Sequence, residues 1–153
     1  GKGSAFNIYF PRAVGGNVPG AQGEGAALDL AGSETVLVVE DEAAVRALAG
    51  RILSDQGYKV LEAPEGAQAL RVAREYKGEI HLLLTDVVMP GMSGSALAAQ
   101  IKAERPGIKT VFMSGYTDDA IVRHGVIDSE VAFLQKPFSI EGLTRKVREA
   151  LKS

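Results

Sequence analysis

The stretch from Ile80 to Gly94 reads Ile-His-Leu-Leu-Leu-Thr-Asp-Val-Val-Met-Pro-Gly-Met-Ser-Gly, and it decides the fold. Its first residues are apolar almost throughout, as in a strand that is covered on both faces of a sheet. Asp86 comes directly after that run, and the Met-Pro-Gly sequence at 89–91 predicts a tight turn behind it. In an open parallel sheet, functional groups gather at the carboxyl ends of the strands. We therefore expect Asp86 to lie in a functional crevice.

Four further apolar runs alternate with helical periods along the chain. They predict strands at Val36–Val39, Tyr58–Leu61, Thr110–Met113 and Val131–Leu134. Helices are predicted after Asp41, from Pro64, between Gly94 and Arg105, near Asp118–His124 and from Ile140. Five βα units in about 120 residues imply a three-layer α/β/α sandwich around a doubly wound, five-stranded parallel sheet.

Apolar stripes predict which face of each helix lies against the sheet. The inward positions are Val45, Leu48, Ala49, Ile52 and Leu53 in the first helix, Ala67, Leu70 and Ala73 in the second, and Ile140, Leu143, Val147 and Leu151 in the last. Gly57 stands where the first helix needs a left-handed C-terminal cap. Pro64 is suited to open the second helix.

Length and composition limit the classes of protein to consider. A chain of 153 residues, of which 46% are hydrophobic, predicts one domain with a single packed core. The net charge of -2 provides no basic field for nucleic acid or anionic membrane. The chain has no cysteine, which suits a reducing cytoplasm and excludes thiolate metal sites. No apolar run approaches the roughly 20 residues that span a bilayer, so we expect a cytoplasmic domain without membrane contact.

The first part of the chain differs in composition from the rest. Residues 1–33 hold eight of the eighteen glycines and show no sustained amphipathic period. Small residues gain too little burial to offset their ordering entropy, so residues 13–33 are predicted to be a flexible linker. We expect the folded domain to occupy residues 34–153, to become ordered near Thr35, and to leave no room for an output domain after its last helix.

Three carboxylates follow two of the predicted strands. Glu40 and Asp41 come after the first strand, and Asp86 comes after the third. Taken alone, the first two could be solvated acids at a helix N-terminus, where the macrodipole favours negative charge. Together with Asp86 they form a hard oxygen site that suits Mg²⁺, and the backbone carbonyl of Val88 could be a further ligand.

The same edge of the predicted sheet carries groups for phosphoryl chemistry. Asp86 could be a metal ligand only, but the exposed turn behind it favours a nucleophile that forms an acyl phosphate. Lys136 would be a surface lysine in most proteins; after an apolar strand it can provide a point charge for phosphate. Ser114 could be an ordinary strand-end hydroxyl or a hydrogen-bond donor to a phosphoryl oxygen. The sequence also permits a cis bond between Lys136 and Pro137.

Four segments together resemble the receiver domain of two-component response regulators. They are Val-Leu-Val-Val-Glu-Asp-Glu at 36–42, Leu-Thr-Asp-Val-Val-Met-Pro-Gly-Met-Ser-Gly at 84–94, Met-Ser-Gly-Tyr at 113–116 and Phe-Leu-Gln-Lys-Pro-Phe at 133–138. The resemblance covers about residues 34–152. It implies a flavodoxin-like sheet with the strand order 2-1-3-4-5.

The resemblance also implies roles for individual residues. Asp86 would accept a phosphoryl group from a histidine kinase, with Glu40 and Asp41 holding the required Mg²⁺. Ser114 would be the switch hydroxyl and Lys136 the phosphate-binding lysine. The switch aromatic is Phe133, where the family frequently has tyrosine, so a switch through a phenolic hydrogen bond is in doubt and burial of the ring stays open. The implied partners are a phosphodonor domain of a histidine kinase, in cis or in trans, and a histidine phosphotransfer protein.

A second resemblance concerns the start of the chain. Gly-Lys-Gly-Ser-Ala-Phe-Asn-Ile-Tyr-Phe-Pro at 1–11 is similar to the last glycine box and closing strand of histidine-kinase ATPase domains. It implies that residues 1–12 are the remnant of such a domain and that the folded part is the carboxyl-terminal receiver of a hybrid histidine kinase, whose parent could be membrane-attached. The alternative is an unrelated tail.

Other functions of an aspartate nucleophile are weighed against this interpretation. A metal-dependent phosphohydrolase usually has a second acid two residues after the nucleophile, where this chain has Val88, which cannot transfer a proton. A P-loop nucleotide site is disfavoured because its glycine-rich motif does not occur. A receiver that only docks remains a third reading. If the domain is a receiver, Val88 and Tyr116 are the side chains best placed to orient a hydrolytic water, and neither type favours fast hydrolysis.

Overall fold

The computed structural model describes residues 32–115 and 131–153. Within them the chain forms β1 (Thr35–Val39), α1 (Ala43–Asp55), β2 (Lys59–Ala63), α2 (Gly66–Glu75), β3 (Leu82–Asp86), α3 (Gly94–Glu104), β4 (Lys109–Ser114), β5 (Ala132–Gln135) and α4 (Ile140–Lys152). Each predicted strand is present, with bounds that differ by one or two residues from the predicted ones. The helix predicted near Asp118–His124 lies outside the described residues.

The five strands form one parallel sheet in the order β2-β1-β3-β4-β5. The fully buried strand β3 is therefore central, and β1 and β4 pair with it on either side. The register aligns Leu84 with Val38 on one side and with Val111 on the other. The order crosses over between β1 and β3, which places the carboxyl ends of these strands beside each other. The predicted topology is confirmed.

Helices cover both faces of the sheet, which confirms the three layers. On one face the sheet packs against α1 and α4, and on the other against α2 and α3. Successive strand residues point to opposite faces, so that Leu82 and Leu84 contribute to the first core and Leu83 to the second. All three side chains are fully buried. Burial of each contributes about 1.5–3 kcal/mol, which explains why an uninterrupted apolar run occupies the central strand.

The end of α1 is closed as the sequence predicts. Gly57 has a φ of 92°, the left-handed conformation that costs glycine least. The Gly57 and Tyr58 N–H groups donate to the carbonyls of Ser54 and Leu53, at 3.0 and 3.1 Å. These two hydrogen bonds form a Schellman motif and direct the chain into β2.

Two large residues predicted to face the core are exposed instead. Leu48 on α1 is 50% exposed and Ile140, the first residue of α4, is 60% exposed. Leu48 lines a groove between α1 and the segment after β5. Ile140 lies at the helix start, ahead of the buried positions Leu143 and Val147 that contact the sheet.

The predicted start of α2 was also wrong. The helix begins at Gly66, so Pro64 lies outside it. The buried stripe consists of Gly66, Ala69, Leu70 and Ala73, and Ala67 is exposed. The inward face therefore starts one residue earlier than predicted, at Gly66, which packs against the Met92 side chain.

Candidate functional site

Glu40, the first acid of the predicted site, is held by hydrogen bonds directly after β1. Glu40 is only 1% exposed, whereas Asp41 is exposed. The Oε1 atom of Glu40 accepts a hydrogen bond from the Glu42 N–H at 3.1 Å, and its Oε2 atom accepts one from Lys136 at 2.9 Å. A buried carboxylate needs such partners, because desolvation penalises an unpaired charge heavily. The hydrogen bonds thus fix the position of Glu40.

Asp86 ends the central strand and lies across from Glu40. Its Oδ1 atom accepts a hydrogen bond from the Val88 N–H at 3.3 Å, and its Oδ2 atom accepts one from Lys136 at 2.8 Å. The residue is 8% exposed, so its carboxylate is less open than the turn at 89–91 suggested. The difference arises because Lys136, which directly follows β5, lies against the Asp86 carboxylate.

The turn behind Asp86 depends on a glycine. The Gly94 N–H donates to the Val87 carbonyl at 2.9 Å and closes the loop between β3 and α3. A β-carbon at position 94 would overlap the carbonyl oxygen of Asp86, which any larger residue would have to displace. Ser93 caps the same helix by accepting a hydrogen bond from the Ala96 N–H at 3.2 Å. The local sequence thus lets α3 start immediately beside the end of β3.

Lys136 bridges two carboxylates with one ammonium group. Burial by itself lowers the pKa of Lys136, but the hydrogen bonds and charges of Asp86 and Glu40 outweigh it and raise the pKa above its usual value. For Glu40, burial is the largest influence and raises the pKa, and the nearby Asp86 acts in the same direction. Hydrogen bonds from Lys136 and Glu42 oppose this increase only in part. Lys136 therefore stays charged, while burial disfavours the ionised form of Glu40.

The described residues include one group of acids arranged so that it could hold a metal ion. Carboxylate oxygens of Glu40, Asp41 and Asp86 all lie within 4.8 Å of one another. Three hard oxygen donors with one lysine leave an excess of negative charge, which a divalent cation would balance. The three acids predicted from sequence as metal ligands are thus brought together, and their chemistry fits a hard cation; the predicted Val88 carbonyl ligand stays a prediction.

The other predicted site residues surround this cluster. Ser114 ends β4, is buried, and donates its hydroxyl to the Gly115 carbonyl at 3.3 Å, while its own carbonyl accepts from the Lys136 N–H at 2.7 Å. The Lys136-Pro137 peptide bond is cis. The Phe133 ring on β5 is half-buried, and its centroid lies 5.8 Å from that of Phe112 on β4.

The two residues predicted to influence hydrolysis have different outcomes. Val88 follows Asp86 by two positions and is 52% exposed, so its side chain is open to solvent beside the carboxylate. Tyr116 lies outside the described residues. Whether this pair affects hydrolysis stays a prediction.

Arg46 is a site residue that the sequence analysis did not single out. Its Nη1 atom donates to the backbone carbonyl of Glu40 at 2.7 Å. The only sequence signal is a cation near the N-terminus of α1, where the helix macrodipole disfavours positive charge. A cation in such a position indicates a local acceptor, here the carbonyl of the acidic turn.

None of the helices in residues 32–115 and 131–153 is long and apolar enough to cross a membrane.

Comparison with known proteins gives the family. The model of the response regulator receiver domain matches residues 36–148. The sensor kinase CckA of Brucella abortus is 42% identical over 158 residues, which cover 99% of this chain but only 17% of that protein. Sporulation initiation phosphotransferase F of Bacillus subtilis is 26% identical over 120 residues, which cover 78% of this chain and 92% of that protein.

A solved structure agrees with these relatives. The receiver domain of the hybrid histidine kinase CckA is 39% identical and superposes with a TM-score of 0.65, covering 76% of this chain and 98% of that structure. Family, relatives and strand order are all those expected from the sequence motifs, and they do not favour a phosphohydrolase. The chain belongs to the response regulator receiver domain family and is a receiver domain of a two-component phosphorelay.

Proposed function

We propose that Asp86 accepts the phosphoryl group of this phosphorelay from a phosphohistidine. The observation that carries the proposal is the position of its carboxylate, at the end of the central strand, 2.8 Å from the ammonium of Lys136 and within a cluster of two further acids. A carboxylate oxygen of Asp86 attacks phosphorus while the bond between phosphorus and the imidazole nitrogen breaks. The products are an acyl phosphate on Asp86 and a histidine that is protonated in place of the lost phosphoryl group.

Mg²⁺ is the cofactor that best suits the acidic cluster. Glu40, Asp41 and Asp86 provide hard oxygen atoms, and the backbone carbonyl of Val88 is proposed as a further ligand. When bound, the ion would offset the charge of the incoming phosphoryl group and help to align it. The three acids otherwise repel a phosphoryl group, so the reaction should require the ion.

Lys136 and Ser114 are proposed to hold the phosphoryl oxygens after transfer. The Lys136 ammonium already contacts the Asp86 carboxylate. A phosphoryl group on Asp86 would provide oxygen acceptors close to this ammonium. The Ser114 hydroxyl donates only a long hydrogen bond of 3.3 Å to Gly115, which it can exchange for a stronger acceptor. Because the Lys136 N–H is bonded to the Ser114 carbonyl, movement of one residue affects the other.

Phe133 is proposed to report this change to the surface on β5. It is paired with Phe112 in the sheet register, and the two rings are in contact. A phenylalanine ring has no hydroxyl to hydrogen-bond, so the switch would consist of a change in rotamer and burial. Loosening of the contact between Phe112 and Phe133 is therefore the expected signature of activation.

The phosphodonor domain of a histidine kinase, or a histidine phosphotransfer protein, is the proposed partner. The described large apolar side chains that are exposed are Leu48 in α1, Val88 two residues after Asp86, and Ile140 at the start of α4. A groove of about 360 Å³ next to Lys136 is lined by Val45, Leu48 and Phe138. An apolar surface beside a nucleophile suits a partner that must bring its own reactive group to Asp86.

The parent protein is proposed to be a hybrid histidine kinase. The support is the identity to CckA across 99% of the chain, which includes the segment before the folded domain. Residues 1–12 would then end the ATPase domain, residues 13–33 would be the linker, and residues 34–153 the receiver. The proposed location of the receiver is the cytoplasm.

The proposed function is tested by labelling with acetyl phosphate, a small phosphodonor. The parent should accept one phosphoryl group per chain in a Mg²⁺-dependent reaction, and Asp86→Asn should accept none while keeping its fold. Asp55→Asn, which changes an exposed acid at the end of α1, is the matched control and should label like the parent. Full labelling of Asp86→Asn would refute the assignment, and continuous turnover of the donor would favour a hydrolase.

A further inference from the structure

Arg46 links the first helix to the backbone of the acidic turn. Its side chain is 19% exposed, and its Nη1 atom donates to the Glu40 carbonyl at 2.7 Å. A charged donor forms a stronger hydrogen bond than a neutral one, and a partly buried position reduces competition from water. Loss of the guanidinium would therefore leave this carbonyl without its main partner.

The opposite side of the Arg46 guanidinium faces an acid on the edge strand. The Nε atom lies 3.9 Å from the Oε2 atom of Glu62 on β2. Gly50, one helical turn after Arg46, leaves the space that the Glu62 carboxylate occupies, because a β-carbon there would overlap Oε1. Glu62 thus lies close enough to attract the guanidinium, although the two groups form no hydrogen bond.

Backbone hydrogen bonds account for the rest of the acidic turn. The Glu40 N–H donates to the Ala63 carbonyl at 3.3 Å, and the Arg46 N–H donates to the Glu42 carbonyl at 3.0 Å. Within the described part of the chain, no hydrogen bond fixes the exposed carboxylate of Asp41. The orientation of the Asp41 side chain therefore depends on the backbone of the turn. Arg46 holds that backbone at the Glu40 carbonyl.

A second arginine makes similar contacts in a different place. Arg105 donates to the carbonyls of Ala73, Tyr76 and Gly78 at 2.7–3.1 Å. These contacts secure the end of α2 and do not involve the acidic cluster. Arg105 therefore shows what a purely structural arginine does in this fold, and it provides a matched control.

We infer that Arg46 is a positioning residue for the metal site, which holds the Glu40 carbonyl so that the carboxylates of Glu40 and Asp41 face Asp86. The inference rests on the proposed Mg²⁺ site. Outer residues that orient metal ligands typically change metal affinity by about 10–100-fold when removed. Arg46→Ala should accordingly bind Mg²⁺ about tenfold more weakly than the parent.

The test compares Mg²⁺ dissociation constants, measured by calorimetry, with thermal midpoints measured in EDTA. Arg46→Ala should raise the Mg²⁺ dissociation constant, whatever its effect on the thermal midpoint. Arg105→Ala should lower the thermal midpoint and leave the Mg²⁺ dissociation constant unchanged. Arg46→Lys should restore part of the affinity, because an ammonium can reach the carbonyl but cannot contact Glu62 at the same time.

Equal Mg²⁺ dissociation constants for the parent and Arg46→Ala would overturn the inference and leave the proposed function intact. A parent that binds no Mg²⁺ would instead refute the proposed metal site together with the inference. If Arg46→Ala does not fold, Glu62→Gln replaces it, since this variant keeps the guanidinium but removes the negative charge beside it. Glu62→Gln should also bind Mg²⁺ more weakly, and an unchanged constant would contradict the positioning role.

Discussion

The Lys136 charge cluster and a surface ion pair of this domain differ in their surroundings. Lys136 lies 2.8 Å from Asp86 and 2.9 Å from Glu40, and Arg74 lies 2.6 Å from Glu104 on the surface. The side chains of Arg74 and Glu104 are 60% and 37% exposed, whereas those of Glu40 and Asp86 are 1% and 12% exposed. Water screens the surface pair and would solvate either partner alone, so similar distances correspond to different energetic roles.

The difference shows that the carboxylates of the site repel one another and that Lys136 offsets this repulsion only in part. In the site one ammonium contacts two carboxylates of a group of three acids, whereas the surface pair is balanced one to one. Removal of a charge from the surface pair exposes its partner to water. Removal of Lys136 leaves two acids facing each other in a poorly solvated place, and addition of a cation relieves them.

The largest expected effect is that of Lys136→Ala on metal-free stability. Breaking a buried ion pair typically costs about 3–5 kcal/mol, and because Lys136 retains some solvent contact we expect about 2–3 kcal/mol. Arg74→Ala should cost much less, because water screens this exposed pair and solvates the remaining Glu104. Urea unfolding in EDTA measures both, and equal losses would show that burial does not separate the two pairs.

Mg²⁺ should stabilise the parent but not Asp41→Ala. An ion that binds only the folded state at tenfold excess over its dissociation constant adds about 1.4 kcal/mol. In EDTA, Asp41→Ala should be at least as stable as the parent, because one of three mutually repelling acids is gone. Asp55→Ala serves as the control. A thermal midpoint of the parent that is the same with and without Mg²⁺ would contradict a metal site.

The two glutamates should give pH dependences of opposite sign. The pKa of Glu40 is raised, chiefly by burial, so the folded protein binds a proton there before the unfolded chain does and gains stability as pH falls toward the ordinary value. The pKa of Glu104 is lowered by its hydrogen bond to Arg74, so its contribution is present above the ordinary value and is lost as pH falls through the folded value.

Urea unfolding of Glu40→Gln and Glu104→Gln in EDTA, from about pH 7 to about pH 4, checks these signs. The stability of the parent relative to Glu40→Gln should rise as the pH falls. Its stability relative to Glu104→Gln should decrease at the acid end. Parallel curves for the two variants would contradict the opposite environments of the two carboxyls.

The smallest expected effect concerns the lifetime of the phosphorylated form. Val88→Asn with Tyr116→Glu supplies polar groups that could orient a hydrolytic water, and a tenfold faster hydrolysis would need only about 1.4 kcal/mol of barrier. We expect the double variant to lose its phosphoryl group faster than the parent after removal of the donor. Equal half-lives would exclude this influence on hydrolysis.

Much of the fold could be predicted because it follows from the spacing of apolar residues along the chain. The apolar run before Asp86 predicts a buried central strand, and the alternation with helical stripes predicts the parallel sheet. Leu48 and Ile140 were wrongly placed in the core because a stripe indicates a helix face but not how far the sheet extends beneath it. Their exposure depends on where neighbouring elements end, which no local pattern encodes.

The site could be predicted in its residue types but not in its contacts. The order of Glu40, Asp86 and Lys136 along the chain indicated their chemistry, since strand ends meet at one edge of a parallel sheet. The distances that place one ammonium between two carboxylates arise only from packing. Arg46 was missed because its acceptor is a backbone carbonyl, which leaves no complementary residue in the sequence.

The most direct test of the central claim is chemical trapping of the phosphorylated residue. Borohydride reduces an aspartyl phosphate to homoserine, which mass spectrometry can locate in a peptide. After reaction with acetyl phosphate and Mg²⁺, the parent should contain homoserine at position 86 and unchanged aspartate at positions 41 and 55. Homoserine at another position, or none in a protein that carries label, would contradict Asp86 as the phosphoryl acceptor.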